Sequence, residues 1–209
     1  MIAGTTARTR IAVLVSGSGS NLQALIDASV DPDFGAEIAV VVADRPNAGA
    51  LRRAADAGIA HVVVSWSDYS DRETFTTAIC DATRTHDVTG LVLAGFMRIL
   101  SPVAMRRYPD AIINVHPALL PAFPGADAVG QALAHGATVT GVTVHFVDEQ
   151  VDHGPIILQE SAAVHPDDTI DILHRRIQQI EHTVLPLAVD AFGKGLLRVV
   201  GRRVEWSSL

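Results

Sequence analysis

The sequence predicts an α/β fold, in which a mostly parallel, Rossmann-like sheet with flanking helices continues into an antiparallel extension in the C-terminal half. Three observations lead to this prediction. Apolar, β-branched runs alternate with amphipathic segments up to residue 115, a glycine-rich turn follows the first apolar run, and two later strand-like runs have no helix between them. Strands that alternate with helices form parallel sheets, whereas strands joined by a short loop form antiparallel ones.

Hydrophobic periodicity defines the elements of the N-terminal half. Five short apolar runs have the β-branched composition of buried parallel strands. These runs are 11–16, 38–43, 61–64, 91–94 and 111–115. The segments between them repeat apolar residues at helical spacing. The predicted helices are 21–29, 48–57, 71–84 and a short helix that Ser101 opens, with Pro102 at its first position.

The pattern changes after Gly125. A helix predicted over 128–135 ends at Gly136, and strands are predicted over 140–147 and 155–163. A long helix is predicted over 169–192, and Pro186 is expected to bend or break it because proline has no backbone N–H to donate. A last strand is predicted over 197–204.

Length and composition predict one domain. The 209 residues are 48% hydrophobic and 19% charged, which is ample material for a core. We expect residues 1–10 to form a flexible N-terminal extension and residues 11–209 to form a single domain. Its first half, 11–110, is expected to bind a phosphate or substrate, and its second half, 111–209, to carry the catalytic groups.

Charge and cysteine content exclude several classes of function. The net charge of −7 argues against a nucleic-acid partner, because such proteins present basic surfaces to the phosphate backbone. Cys80 is the only cysteine, so no intrachain disulfide can form and a reducing compartment is expected. No apolar run is long enough to span a bilayer, and the N-terminus lacks the apolar core of a signal peptide. The expectation is a cytoplasmic protein without a membrane partner.

The first strand leads into a turn rich in glycine and serine, Ser16-Gly-Ser-Gly-Ser-Asn21. Free N–H groups at a helix N-terminus bind phosphate, and glycines let a ligand approach the backbone closely. The spacing lacks the third glycine of a dinucleotide fingerprint and the Gly-Lys-Ser/Thr of a P-loop. The turn therefore favours a single phosphate or phosphoribosyl group, with an ordinary tight turn as the alternative. Asp44, after the second strand, is interpreted as a turn residue, with a ribose-binding acid as the alternative.

Asn114 and His116 lie two apart in the fifth predicted strand, so their side chains leave the same face. Pro117 ends the strand, since it has no N–H for the ladder. An amide donor beside an imidazole suits chemistry at a carbonyl, where one group stabilises an oxyanion and the other moves a proton. The alternative is a buried hydrogen-bonding asparagine and a structural histidine.

A third cluster of titratable groups lies between His145 and His153. Asp152 precedes His153-Gly-Pro, a loop that returns to an apolar strand and can aim a carboxylate inward. A carboxylate near His116 would favour imidazolium and raise the histidine pKa. His116, His145 and Asp152 could instead form a zinc triad, but no compact metal motif is present, so acid–base use is preferred.

Four segments together resemble the phosphoribosylglycinamide formyltransferase family. They are Gly-Ser-Gly-Ser-Asn-Leu-Gln-Ala at 17–24, Leu-Ala-Gly-Phe-Met-Arg-Ile-Leu-Ser-Pro at 93–102, Ile-Asn-Val-His-Pro-Ala-Leu-Leu-Pro at 113–121 and Gly-Val-Thr-Val-His-Phe-Val-Asp at 141–148. The resemblance covers about Ile11 to Phe192 and implies the formyltransferase fold. It implies formyl transfer from 10-formyltetrahydrofolate to the amine of glycinamide ribonucleotide, a step of purine synthesis, with a folate cleft in the second half.

The resemblance also implies roles for individual residues. Asn114, His116 and Asp152 form the implied catalytic set, in which Asp152 keeps the His116 imidazolium charged. The implied binding residues fall into three groups. They are Gly19, Ser20 and Asn21 for the substrate phosphate, Glu181 for the rest of the substrate, and Arg72, Met97, Arg98, Ile99, Leu100 and Asn114 for the folate. By sequence alone, Arg72 and Glu181 would be surface helix charges. The co-substrate implied is 10-formyltetrahydrofolate, without a metal, in a monomer or homodimer.

The chain departs from the family pattern at Asp127, where the family commonly has a histidine two residues after Phe-Pro-Gly. We expect Asp127 to face away from the substrate. Two sister enzymes remain as alternatives, a formyltetrahydrofolate hydrolase and a methionyl-tRNA formyltransferase, although 209 residues leave no room for their expected extra domains. From a different class, the chain could be a non-catalytic folate- or phosphate-binding module.

Overall fold

A computed structural model describes residues 8–207 of the chain. Within them, the strands are β1 (Thr9–Val15), β2 (Ala36–Ala43), β3 (His61–Val63), β4 (Gly90–Leu93), β5 (Ile112–His116), β6 (Val139–Phe146), β7 (Ile156–Ala163), β8 (Leu197–Val200) and β9 (Arg203–Trp206). The α-helices are α1 (Ser20–Ser29), α2 (Gly49–Asp56), α3 (Arg72–Arg84), α4 (Pro102–Arg107), α5 (Ala128–Ala134) and α6 (Ile170–Gly193), with a short 3₁₀ turn at Trp66–Asp68. None of the helices between residues 8 and 207 is both long enough and apolar enough to cross a membrane.

All nine strands form one sheet in the order β3-β2-β1-β4-β5-β6-β7-β9-β8. The first five pair in parallel, whereas β6 is antiparallel to both β5 and β7. The predicted fold class is therefore confirmed, including the antiparallel extension. The switch of direction occurs between β5 and β6, which aligns Asn114 with His145 and His116 with Thr143.

Helices cover both faces of the sheet, so the parallel strands are buried on both sides, as their unbroken apolar composition predicts. Alternate residues of β1 face opposite layers: Val13 packs into the core under α1, α2 and α6, and Leu14 into the core under α3 and α4. Cys80 lies in the second core, and burial raises the pKa of its thiol to about 11. It is a core residue.

The structure differs from the predictions at two C-terminal elements. The helix α6 runs unbroken through Pro186. Buried side chains on both sides of the proline, such as Leu185 and Val189, hold the helix against the sheet and compensate for the missing N–H. The single strand predicted over 197–204 is a hairpin, because the chain reverses at Gly201, whose φ of 60° allows a tight turn.

The N-terminal boundary also differs from the expectation. The strand β1 begins at Thr9, so Thr9 and Arg10 belong to the sheet rather than to the expected extension over 1–10. Thr9 is further fixed by a 2.9 Å hydrogen bond that its hydroxyl donates to the carbonyl of Gly193. The rest of that expected extension, residues 1–7, lies outside the described residues.

Candidate active site

The carboxyl end of β5 presents Asn114 and His116 on one face of the sheet, as their spacing predicts. The loop that follows is tied to the neighbouring strand through Thr143. Its hydroxyl donates to the carbonyl of Ala118 at 2.7 Å and accepts from the N–H of Leu120 at 3.0 Å. The sheet therefore fixes both the strand end and the turn beyond it.

The structure brings Asp152 into contact with both of these side chains. One carboxylate oxygen, Oδ1, accepts a hydrogen bond from Asn114 Nδ2 at 3.3 Å, and Oδ2 lies 3.3 Å from His116 Nδ1. Oδ2 also accepts the backbone N–H of Gly125 at 2.7 Å. One carboxylate thus joins the three candidate catalytic residues to the proline-rich loop.

The backbone around this cluster adopts conformations that cost energy. Asp152 has a φ of 49° and Phe123 a φ of 54°, both in the left-handed region that non-glycine residues seldom occupy. The carbonyl of Phe123 lies 2.8 Å from His116 Nε2. Residues held in this region cost about 1–3 kcal/mol each and persist only where the surroundings fix them. Both strained residues here contact the imidazole of His116.

His145 is a fourth member of the cluster, and sequence analysis considered it only as a zinc ligand. It is fully buried opposite Asn114, and its Nε2 lies 3.2 Å from Asn114 Nδ2 and 3.7 Å from Asp152 Oδ1. Its Nδ1 lies 2.8 Å from the carbonyl of Phe146, so Nδ1 must carry a proton. Nε2 faces the Asn114 amide, and this contact orients the amide. The signal in the sequence was its even spacing from Thr143 on a strand.

The pKa values in the cluster correct one expectation. Burial lowers the pKa of His116, and the carboxylate of Asp152 and the carbonyl of Phe123 offset this effect only in part. The expected net rise was wrong because the imidazole is almost completely shielded from water. Burial opposes ionisation of Asp152 too, but the nearby imidazole of His145, the N–H of Gly125 and the imidazole of His116 outweigh it and lower the pKa of the carboxyl.

The residues 8–207 contain no group of three or more His, Cys, Asp or Glu side chains arranged to hold a metal ion. His116, His145 and Asp152 are close together, but the carbonyls of Phe123 and Phe146 each occupy one imidazole nitrogen.

The glycine-rich turn forms a backbone cradle at the carboxyl end of β1. Gly19 precedes α1 with a φ of 78°, and no side chain caps the helix. A Cβ at Gly19 would lie 2.6 Å from the Cβ of Ala50, so α2 packs directly against the turn. The first N–H groups of α1 therefore stay available to an anion. The turn also contacts the segment after β4, since Ser16 Oγ accepts the N–H of Met97 at 2.8 Å.

Asn21 and Glu181 form a buried pair behind this cradle. Asn21 Nδ2 donates to Glu181 Oε2 at 2.9 Å, while Asn21 Oδ1 is buried without a partner among the described residues. Burial raises the pKa of Glu181 to about 7, against a smaller lowering by Asn21. The sequence-based placement of Glu181 on the surface was wrong. It lies on the buried face of α6, next to the turn implied to bind phosphate.

The segment 97–100 is exposed at alternate residues. Met97 and Ile99 are 68% and 53% exposed, whereas Leu100 is buried. The guanidinium of Arg98 donates to the buried Asp44 carboxylate at 2.7 Å and lies 5.2 Å from the centre of the Trp66 ring. The Arg98 side chain is therefore a structural clamp, and an apolar ligand would meet Met97, Ile99 and backbone groups.

Asp44 has a role that neither interpretation of the sequence anticipated. Burial opposes its ionisation, but hydrogen bonds from Arg45, Arg98 and Ser16 lower the pKa of the carboxyl. The carboxylate anchors the exposed segment 97–100 to the end of β2. It therefore connects the two loops that flank the end of β1.

Two further candidates lie at the edge of this region. Arg72 begins α3 and lines an open groove of about 710 Å³ between α3 and α4; the side chains lining that groove include none of the catalytic cluster. Asp127 has a φ of 59° and precedes α5, with its carboxylate packed over the Cα of Gly130. Asp127 is exposed, and its carboxylate faces the first turn of that helix.

Comparisons with known proteins place this geometry in a family. A sequence profile described as formyl transferase matches residues 9–189. The trifunctional purine biosynthetic protein adenosine-3 of Bos taurus is 43% identical over 192 residues, which are 92% of this chain and 19% of the bovine protein. The chain therefore spans about a fifth of the length of that relative.

Relatives of similar length also match. The phosphoribosylglycinamide formyltransferase of Mycobacterium tuberculosis (strain CDC 1551 / Oshkosh) is 43% identical over 197 residues, covering 94% of this chain and 91% of that protein. The crystal structure of glycinamide ribonucleotide transformylase 1 from Symbiobacterium toebii superposes with a TM-score of 0.94 at 42% identity, covering 98% of this chain and 96% of that one. The profile match and this similarity over nearly the whole length show that the chain belongs to the formyl transferase family.

Proposed function

We propose that this chain is a phosphoribosylglycinamide formyltransferase of purine biosynthesis. It transfers the formyl group of 10-formyltetrahydrofolate to the amine of 5'-phosphoribosylglycinamide, which gives formylglycinamide ribonucleotide and tetrahydrofolate. One observation carries the proposal: a cluster of Asn114, His116 and Asp152 lies at the carboxyl end of β5, on the same edge of the sheet as the backbone cradle after β1. Ligands of open α/β sheets bind at this edge.

The cluster suits attack of an amine on a formyl carbon. As the new C–N bond forms, negative charge develops on the formyl oxygen, and Asn114 Nδ2 and His116 Nε2 are the donors that stabilise it. In the free protein His116 Nε2 lies 2.8 Å from the carbonyl of Phe123. Both N–H bonds of Asn114 are also engaged, by His145 and Asp152. Substrate must therefore exchange one hydrogen bond of each residue for one to the oxyanion, while Asp152 keeps the imidazole in place from the Nδ1 side.

Proton movement completes the transfer. The attacking amine loses a proton, the folate nitrogen gains one, and the bond between that nitrogen and the formyl carbon breaks. In the free protein, burial lowers the pKa of His116 and so opposes the imidazolium. The developing oxyanion, together with Asp152, favours the imidazolium, so the cluster can hold the proton between the two nitrogens, through water. These steps require no metal.

The remaining candidates are assigned to binding. The N–H groups at Gly19, Ser20 and Asn21 hold the substrate phosphate, and Glu181 holds the rest of the acceptor. The exposed Met97 and Ile99 line the folate site. The backbone groups of Arg98 and Leu100 hold the pterin, Asn114 lies at the formyl end, and Arg72 lies at the far end of the folate. The partners are small molecules, the chain acts in the cytoplasm, and it is a monomer or homodimer.

The test is a spectrophotometric assay of deformylated folate with a 10-formylfolate donor. Release that depends on glycinamide ribonucleotide, and that persists in a metal chelator, is the expected result. Release without the acceptor would support a hydrolase instead. Binding of folate without any release would leave a binding module. Asn114→Ala is the matched variant, and loss of one oxyanion donor should lower kcat by roughly 10²–10³.

A further inference from the structure

The helix α2 holds the cradle after β1 from one side. Its first-turn N–H, at Ala50, donates to the carbonyl of Gly17 at 3.2 Å. One turn later, Arg53 Nε donates to the carbonyl of Ser18 at 2.9 Å. Two consecutive carbonyls of the turn are therefore directed toward the same helix.

This arrangement fixes where the N–H groups of the turn point. In a trans peptide the C=O and the following N–H are nearly antiparallel. Because the carbonyls of Gly17 and Ser18 face α2, the N–H groups of Ser18 and Gly19 must face away from it. They then point in the direction from which a phosphate would approach the N-terminus of α1.

A second observation marks this place as a ligand site. Asn21, in the first turn of α1, is buried, and its Oδ1 has no hydrogen-bond partner among the described residues. Buried polar atoms are seldom left unpaired in a free protein unless a ligand or water completes them. This oxygen is an acceptor, so its partner would be a hydroxyl or amine of the ligand, while the N–H groups of the turn would take the phosphate.

The charge of Arg53 is not neutralised nearby. Its second hydrogen bond runs from NH1 to the neutral Gln23 Oε1 at 3.0 Å, and within residues 8–207 no carboxylate lies within ion-pair distance of it. The adjacent Arg52 differs on both points. Its side chain is 89% exposed, and it pairs with Asp56 at 3.7 Å. Arg52 and Arg53 are therefore neighbours on one helix, but among the described residues only Arg52 has a carboxylate partner.

We propose that Arg53 is a positioning residue through which the protein prefers a phosphorylated acceptor. This inference rests on the proposed function, because it concerns the same phosphate site. Arg53 acts through the backbone: its Nε–H holds the Ser18 carbonyl, which directs the Gly19 N–H at the phosphate. Its unpaired charge, behind the turn, adds a long-range attraction for a dianion.

The first experiment compares two acceptors, glycinamide ribonucleotide and its dephosphorylated riboside, with Arg53→Met, Arg53→Lys and the matched control Arg52→Met. For Arg53→Met we expect the KM of the phosphorylated acceptor to rise about tenfold, equivalent to about 1.4 kcal/mol. The kcat, the KM of the formyl donor and the kinetics of the riboside should stay unchanged. Arg53→Lys keeps the charge and should recover part of the preference.

Equal KM values in Arg53→Met and Arg52→Met would overturn the proposal. So would an equal loss with both acceptors, because a merely structural role would affect them alike. If Arg53→Met fails to fold, Arg53→Lys still tests the proposal.

A second experiment does not depend on catalysis and so separates failure of this inference from failure of the proposed function. Inorganic phosphate is titrated against the thermal unfolding midpoint of the wild type, Arg52→Met and Arg53→Met. The first two should be stabilised at the same phosphate concentration, and Arg53→Met only at about tenfold more. Equal stabilisation of all three, or none of the wild type, would overturn the inference even if the enzyme is active.

Discussion

The ends of β1 and β5 serve the proposed reaction in different ways. The turn after β1 offers backbone N–H groups, and its one left-handed residue is Gly19, where that conformation is cheap. The end of β5 offers side chains, and two of the left-handed residues around it, Phe123 and Asp152, are not glycines. Binding of a fixed anion needs only a relaxed backbone, whereas the proposed chemistry needs imidazole and carboxylate groups held in positions that cost energy.

The strongest test of this comparison is Asp152→Asn, at the end of β5, which we call the side-chain site. An amide cannot offer two acceptor oxygens, so it cannot accept from Asn114 and Gly125 while also facing His116 Nδ1. We expect kcat to fall by roughly 10²–10³, with little change in either KM.

The matched control is Asp148→Asn in the same loop. Asp148 accepts from Gln150 and contacts the exposed His153. Exposed pairs contribute about 1 kcal/mol at most, so its kcat should change less than about fivefold. A near-normal kcat in Asp152→Asn would refute the catalytic role of the carboxylate.

The turn after β1, which we call the backbone site, is tested by Gly19→Ala. An alanine there must adopt a φ of 78° and place its Cβ 2.6 Å from that of Ala50, so we expect a loss of about 1–3 kcal/mol of unfolding free energy. The KM of the phosphorylated acceptor should rise at least about tenfold while kcat changes less, because one misplaced N–H weakens binding of a fixed anion.

Gly17→Ala is its control, since a Cβ there meets nothing within 4 Å. It should stay within about 0.5 kcal/mol of wild type in urea unfolding. If both alanine variants bind the acceptor equally well, the turn is an ordinary one and the phosphate belongs elsewhere.

A third prediction concerns Glu181, a side chain that lies beside the backbone site. Burial raises its pKa to about 7 from 4.5, so the folded state binds the proton more tightly than the unfolded state. The resulting stability is fully present below pH 4.5 and is lost as the pH rises through 7. The Glu181→Gln variant has no carboxyl to ionise and so avoids this loss. As the pH rises from 4.5 to above 7, the unfolding free energy of wild type should therefore fall relative to that of the variant, by up to about 3 kcal/mol.

Urea unfolding at pH 4.5, 6 and 8 measures this difference. Glu160→Gln is the control, because the same substitution is made at an exposed glutamate on β7. A difference between Glu181→Gln and wild type that stays constant with pH would mean that Glu181 is ionised alike in both states.

The smallest effect is expected for Asp127→His, which introduces the residue that the resemblance led us to expect at this position. The Asp127 carboxylate is exposed and packs over Gly130. The KM of the acceptor should change less than about threefold, because surface substitutions usually alter free energies by about 0.5 kcal/mol. A larger gain in affinity, measured in the same assay, would place this residue at the substrate and extend the side-chain site to α5.

Much of the fold follows from local patterns, and the exceptions have physical causes. Apolar runs and helix-start signals, such as Pro102 at the start of α4, act over a few residues, and the sequence shows them. The continuity of α6 through Pro186 depends on burial against the sheet, which no local pattern reports. The hairpin after Leu197 was missed because a lone glycine inside a strand pattern, here Gly201, is equally typical of a bulge.

The candidate site was predictable to a similar extent. The spacing of Asn114 and His116 placed both side chains on one face, and the loop composition indicated an inward-facing Asp152. The contact of His145 depends on which strand pairs with β5 and in which direction, and the pKa of His116 depends on burial. Both are properties of the folded chain. Glu181 was misplaced because helical periodicity alone gives no reason to bury a carboxylate.

The direct pairing of β5 with β6 has a consequence for engineering the chain. Asn114 and His145 are aligned by the strand ladder itself, so the residues that connect the two strands do not set their separation. The connection includes an exposed bend at Gly136, where φ is 66° and a Cβ would meet nothing within 4 Å. Doubling the length of a flexible loop costs only about 0.6 kcal/mol. A reporter peptide or a small inserted domain should therefore be tolerated at Gly136 without disturbing the register of the reacting groups.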